Sequence, residues 1–246
     1  MNDRSSQSPL AFLLVDGLSA SAEVYLNNIT VAIQRGEMRS WNVKASLPTL
    51  SYPNYATILS GNEPSSHGLL DNKLRLPIGP GHLFDKLTTS GMVVALVGFY
   101  WWRNLLEEGP WYLRTYCEED TLDSWVYEEA KRVATEINPD FLLVHSLGVD
   151  FAGHRWGGDS LEYRTSVKKV DELIIDFAQF WSDSRRGKIL VGSDHGMRKD
   201  KGHGGDSPQE TNVRYYFNGH VPDDGVALTS QSGVRNFIER ILESTI

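Results

Sequence analysis

The chain has 246 residues, 40% of them hydrophobic, a formal net charge of −8 and one cysteine. That length buries the core of one large domain spanning residues 1–246, and no low-complexity tract or Pro/Gly/Ser linker divides it. The acidic balance argues against a nucleic-acid polymer or an anionic membrane as the main partner, and the lone Cys117 excludes an internal disulfide framework or a cysteine-rich zinc site, so any metal must be held by Asp, Glu and His.

Residues 1–10 read as a flexible arm. Ala11–Val15 is too short for a signal-peptide core or a membrane span, which predicts a cytoplasmic protein, or a secreted one if a leader precedes the chain. The same run reads as the first buried strand, and Met92–Val97, Phe141–Val144 and Ile189–Val191 repeat the pattern. A helix is expected from Asp120 to about Ile137, stopping before Pro139. Another is expected over Asp159–Phe180, with Asp159 and Glu162 as a capping box and Val167, Val170, Ile174 and Phe177 on one face. Alternating strand and helix predict an α/β fold, an open and mostly parallel sheet with helices on both faces.

Open parallel sheets place their ligand sites at the carboxyl ends of the strands. Here strand one runs into Asp16, the third reaches Asp150-Phe-Ala-Gly-His154, and the fourth reaches Ser193-Asp-His-Gly-Met197. Asp150 and His154 are four apart, so a helical turn or a tight loop can aim both at one ion. Asp194 and His195 need an irregular loop, which Gly196 permits, and His203 lies in the glycine-rich Lys201–Asp206 segment. Each has an ordinary reading: a helix cap for Asp16, a surface pair for Asp150 and His154, a solvated loop for His203. Their joint placement favours a metal site. Pro53 falls where a first helical turn would begin, which leaves Ser51 beside the helix amino end, a position suited to an anion and to a metal-activated hydroxyl.

These residues resemble the alkaline phosphatase superfamily, and within it the nucleotide pyrophosphatase and type I phosphodiesterase branch. The likeness runs in order through Pro48-Thr-Leu-Ser-Tyr-Pro-Asn54, Thr57–Gly61, Ser66–Asn72, Gly98–Trp101, Asp150–His154, Ser160–Tyr163, Val170–Leu173 and Ser193–Met197. The resemblance implies a three-layer sandwich with an alkaline-phosphatase-like core and two divalent metal ions. Zinc is the family's usual ion, and manganese would also suit the carboxylates. It implies one ion held by Asp16, Asp194, His195 and the nucleophile Ser51, and the other by Asp150, His154 and His203. In-line attack by Ser51 would form a covalent intermediate that water releases, and Asn72 would bind a non-bridging phosphoryl oxygen.

The substrate implied is a small phosphorylated, nucleotide-like diester or pyrophosphate. Ser51 stands where that branch generally has Thr, which brings a phosphomonoesterase forward as an alternative. Gly202–Thr211 resembles the corresponding loop of phosphoglycerate mutases and of the phosphoethanolamine transferases of glycolipid anchors, so a phosphonate hydrolase or a phosphoethanolamine-transfer enzyme is a further alternative. A non-catalytic binding module is disfavoured because all seven candidate positions are kept. Tyr100 and Trp101 are expected as a stacking wall for a planar group, with Phe99 and Trp102 in the core. Arg103, Lys199 and Lys201 are either phosphate partners or surface charges. His67 is expected to cap or pack in its turn, while His82, His145 and His220 suggest no partner, and nothing bears on oligomeric state.

Overall fold

The computed structural model describes residues 8–221 and 227–243. The strands are β1 Leu10–Val15, β2 Arg39–Lys44, β3 Val94–Phe99, β4 Tyr112–Tyr116, β5 Phe141–Ser146, β6 Lys188–Gly192 and β7 Asn212–Phe217. They form one sheet in the order β2-β7-β6-β1-β5-β3-β4. Every neighbouring pair is parallel except β6–β7 and β2–β7. Two reversals cancel, so β2 points the same way as β1 and delivers its carboxyl end to the same edge.

The helices are α1 Asn27–Gln34, α2 Ser51–Ser60, α3 Pro64–His67, α4 Leu83–Thr89, α5 Trp101–Leu106, α6 Asp123–Ile137, α7 Gly148–Trp156, α8 Leu161–Arg185, α9 Pro208–Thr211 and α10 Gly233–Glu243. Strand side chains alternate between faces, so β1 sends Ala11, Leu13 and Val15 to one side and Leu10, Phe12 and Leu14 to the other. The first set packs with α1, α6 and α8. The second packs with α2, α4, α5 and α10. A sheet apolar on both faces must be covered on both, and three layers result. The longest helix, α8, lays Val167, Val170, Ile174, Phe177 and Trp181 on the sheet, all fully buried.

Several expected boundaries move. Leu10 belongs to β1 and Pro9 accepts from Lys188 N at 2.8 Å, so the arm ends before them, and residues 1–7 lie outside the described residues. The second expected strand begins two residues later, at Val94, because the Val93 amide is taken by the Asp140 carboxylate at 2.7 Å. The cap of α8 is Ser160, whose Oγ accepts from Tyr163 N at 3.1 Å, while Asp159 pairs with Lys199 at the surface. Helix α6 starts at Asp123 rather than Asp120, and α8 continues beyond Phe180 to Arg185. The strands β2, β4 and β7 have no counterpart in the sequence reading. β2 and β4 are edge strands of mixed polarity, and β7 interrupts its buried residues with half-buried Asn212 and Arg214, so none shows a continuous apolar run along the strand.

Candidate functional site

The loop after β2 turns Ser51 onto the first position of α2, where the helix terminus carries partial positive charge. Asn54 makes that turn possible. Its Oδ1 accepts from Ser46 N at 3.0 Å, and its Nδ2 faces the carbonyls of Ser46, Pro48 and Leu50 at 3.2, 3.1 and 3.0 Å. Backbone groups of a partly buried loop are thereby satisfied by one side chain. From the next strand ends, β1 supplies Asp16 directly, β5 leads into α7 with Asp150 and His154, and β6 leads into Asp194 and His195. Gln231 secures the last loop from behind, donating to the carbonyls of Ser193 and Asp194 at 2.8 and 2.6 Å.

These residues converge as two overlapping groups. His195 Nε2 lies 3.1 Å from Ser51 Oγ, 3.3 Å from Asp16 Oδ1 and 3.2 Å from Asp194 Oδ2. His154 Nε2 lies 3.0 Å from His203 Nε2 and 3.4 Å from Asp150 Oδ2, and His203 Nε2 lies 3.6 Å from Asp150 Oδ1. Asp150 stands between the groups, close enough to Asp16 and His195 to share an ion with them as well.

The tautomers follow from the remaining ring nitrogens. Nδ1 of His154, His195 and His203 faces the carbonyls of Lys201, Gly196 and Thr49 at 3.1, 3.1 and 2.7 Å. A carbonyl accepts only, so each Nδ1 carries the proton and each Nε2 presents a lone pair. In that state His154 and His203 point two lone pairs at each other across 3.0 Å, an arrangement that makes sense around a cation. Asp16 Oδ1, Asp150 Oδ1 and Asp194 Oδ2 are buried without a hydrogen-bond partner. Unpaired buried carboxylate oxygens are costly, and ligand atoms 3.0–3.6 Å apart suit zinc, whose bonds of roughly 2.0–2.1 Å give tetrahedral edges of about 3.3 Å. The residues fit divalent metal ions.

Electrostatics agree with that fit. Burial, then the charges of Asp16 and Glu119, pushes Asp150 well above the usual carboxylate range, and burial with Asp16 and Asp150 does the same to Asp194. Burial opposes ionisation of Asp16 too, but the hydrogen bond from His145, the neighbouring His195 and the hydrogen bond from Tyr55 outweigh it and hold its pKa low. His203 is pushed down to about 3 by burial and by its neighbour His195, so its imidazole stays neutral and free to ligate.

The turn after Asp16 requires glycine. Gly17 has a φ of +70°, and a Cβ there would lie 2.8 Å from Asp150 Oδ1 and 2.9 Å from its Cα. Gly17→Ala should therefore cost about 1–2 kcal/mol in left-handed backbone strain and displace Asp150. A lower melting temperature together with weakened metal binding is the expected pair of results, read by thermal melts with and without metal.

Ser51, Asn72, Asp150, His154 and His203 line a cavity of about 360 Å³, with Phe99, Trp101, Glu119, Phe151 and Arg155 among its walls. Asn72 Oδ1 accepts from Tyr52 N at 3.0 Å, which leaves its Nδ2 donors for a ligand. Trp101 is on the wall as expected, but Tyr100 is not: its hydroxyl accepts from Arg75 at 3.2 Å, while Phe99, buried in the core as expected, also borders the cavity. Trp102 is fully buried and stacked on Tyr55. Arg103 lines a separate groove, Lys199 pairs with Asp159, and Lys201 serves through its carbonyl. His67 packs in its turn against Thr57 at 3.1 Å, His82 caps α4, and His220 is exposed.

Tyr55 and His145 escape the sequence reading. Both hydrogen-bond Asp16 Oδ2 from within the core. Glu210 escapes as well: it is buried and gathers Gly205 N at 2.7 Å and Arg198 at 3.1 Å to shape the loop of His203. No local pattern marks any of them.

The sequence profile of type I phosphodiesterases / nucleotide pyrophosphatases matches residues 10–115 and 101–210. The chain belongs to this family. Human GPI ethanolamine phosphate transferase 3, catalytic subunit, is 24% identical over 75% of this chain, which spans 17% of that relative's length. Murine ectonucleotide pyrophosphatase / phosphodiesterase 5 superposes with a TM-score of 0.72 at 12% identity, covering 96% of this chain and 95% of that one. The C-terminal periplasmic domain of a phosphoethanolamine transferase from Campylobacter jejuni superposes with a TM-score of 0.68 at 13% identity, covering 93% and 87%. Family members share the layers, the mostly parallel sheet and phosphoryl-transfer chemistry. Among the described residues, no helix is long and apolar enough to cross a membrane.

Proposed function

We propose that this protein cleaves a phosphodiester or pyrophosphate bond of a small nucleotide-like substrate through a covalent Ser51 intermediate. The observation that carries the reading is the position of Ser51 Oγ, at the amino end of α2, on the cavity wall and 3.1 Å from His195 Nε2. Asp16, Asp194 and His195 with Ser51 would hold one divalent ion, and Asp150, His154 and His203 the other, with zinc the best match to the donor set. Such ions supply Lewis acidity: they make a serine hydroxyl a better nucleophile and a phosphate ester a better electrophile.

Ser51 Oγ forms the new bond to phosphorus while the bond to the leaving oxygen breaks. Asn72, with its carbonyl committed to Tyr52 N, donates Nδ2–H to a non-bridging oxygen, and that bond strengthens as charge develops. The amino end of α2 faces the same charge. Trp101 and Phe99 offer flat apolar surface to the rest of the substrate. Water then attacks phosphorus of the Ser51 ester, the Oγ–P bond breaks, and the water's proton returns to Ser51 Oγ as the phosphoryl product leaves.

The human and Campylobacter relatives, both named as transferases of a phosphoethanolamine group, support a second reading, in which an alcohol rather than water makes that second attack and phosphoethanolamine is transferred. Turnover of p-nitrophenyl phosphate, bis-p-nitrophenyl phosphate, the p-nitrophenyl ester of thymidine monophosphate and p-nitrophenyl phosphoethanolamine, with zinc and with manganese, separates these readings. Preference for the thymidine diester is the expected result. Preference for the monoester would replace it with a phosphatase. Fastest release from the phosphoethanolamine ester, accelerated by added alcohol, would replace it with the transferase.

A further inference from the structure

We propose that Tyr55 and His145 are positioning residues that restrict Asp16 to ligation through one oxygen and so set the affinity and ion preference of the Ser51-side metal site. The inference rests on the two-ion reading above. Asp16, Tyr55 and His145 are each 0% exposed. His145 comes from β5, in register with Leu14 of β1, which aims its Nε2 at Asp16 Oδ2 across 3.1 Å and at the Tyr55 hydroxyl across 2.9 Å. Tyr55 comes from α2, its ring stacked 4.4 Å from Trp102 and edge-on to His145 at 5.0 Å, and its hydroxyl donates to the same Oδ2.

The two oxygens of Asp16 are thus unequal. Oδ2 accepts from two donors, and Oδ1 has no partner and faces His195 Nε2 at 3.3 Å. A carboxylate occupied on one side cannot grip an ion with both oxygens. That disfavours large ions that gather six to eight oxygens, often bidentate, and favours small four-coordinate ions. Fixing the orientation of a ligand before the ion arrives also raises affinity, and losing such a partner typically costs about 10–100-fold.

The test is competition of the purified, demetallated full chain against a chromophoric chelator, with zinc and then with calcium, for the wild type, Tyr55→Phe, His145→Leu and His145→Gln. Tyr55→Phe keeps the ring and its stacking but removes the donor, while His145→Gln keeps an amide N–H near the Nε2 position. Zinc binding at one site should weaken about 10–100-fold in Tyr55→Phe and His145→Leu, with the other site unchanged and the zinc-to-calcium preference reduced. His145→Gln should recover most of the loss. Wild-type affinities and ion preference in Tyr55→Phe would overturn the proposal alone, as would equal weakening at both sites, which marks general damage. A wild-type chain that binds no ion would overturn the metal-site reading with it.

Discussion

Ser51→Ala should lower turnover by about 10⁴–10⁶-fold, the scale on which removing a catalytic nucleophile acts, while both metal ions stay bound. The argument is positional. Ser51 Oγ touches His195 Nε2 at the point where Asp16, Asp194 and the amino end of α2 meet. Those neighbours remain when the hydroxyl is removed, and the loop that carries residue 51 is secured by Asn54, not by the serine itself. Turnover with excess enzyme, together with metal analysis of the same sample, gives the decisive pair of numbers. A variant within tenfold of wild type would remove Ser51 as nucleophile and leave an activated water in its place. Loss of activity together with both metals would make Ser51 a ligand first.

Asp150→Asn should produce opposite effects on function and on stability. Asp150 stands between the two groups, and its carboxylate is buried near Asp16 and within the fields of Glu119 and Asp194. Neutralising it should reduce the bound metal from two equivalents and lower activity by at least about 10³-fold, in line with loss of a metal-assisted step. The metal-free variant should nevertheless melt above the metal-free wild type at pH 8. The folded-state pKa of Asp150 is raised, so its charged form is disfavoured in the fold. Between the ordinary carboxylate range and that raised value the folded chain binds more protons than the unfolded one, and stability falls as pH rises. The metal-free wild type should therefore lose stability from pH 5 to pH 8, and the variant should lose less. Added metal reverses the trend in the wild type, because protons no longer compete for the carboxylates at high pH. Calorimetry of both proteins, with and without metal at both pH values, tests this; parallel curves for the two metal-free proteins would show that Asp150 bears no charge strain.

The parts of the fold legible in the sequence are those where a local pattern and the tertiary environment make the same demand. β1, β5 and β6 are buried on both faces, so they must be continuous apolar runs and are visible as such. α8 is long, and its buried residues recur at helical spacing. Asp16, Asp194 and His195 stand within three residues of a strand end and Asp150 lies in the first turn of the helix that follows β5, so the rule that sites collect at strand ends locates them without coordinates. By contrast, β2 and β4 are edge strands with no such run, β7 runs antiparallel, and the α8 cap falls on Ser160 because its hydroxyl, not the Asp159 carboxylate, reaches the Tyr163 amide.

What the sequence determines by itself is the inventory of chemistry at one sheet edge: carboxylates, imidazoles and one hydroxyl, in an order shared with a family of phosphoryl-transfer enzymes. Tertiary structure alone decides which atom of each residue is available. Asp16 offers one oxygen because residues 39 and 129 positions away occupy the other, and His203 offers Nε2 because a carbonyl 154 positions away takes its Nδ1 proton. It also decides that Phe99, rather than Tyr100, faces the cavity. Ligand choice, tautomer and orientation are set by hydrogen bonds between segments far apart in the chain, and such partners leave no periodic or local trace in a single sequence.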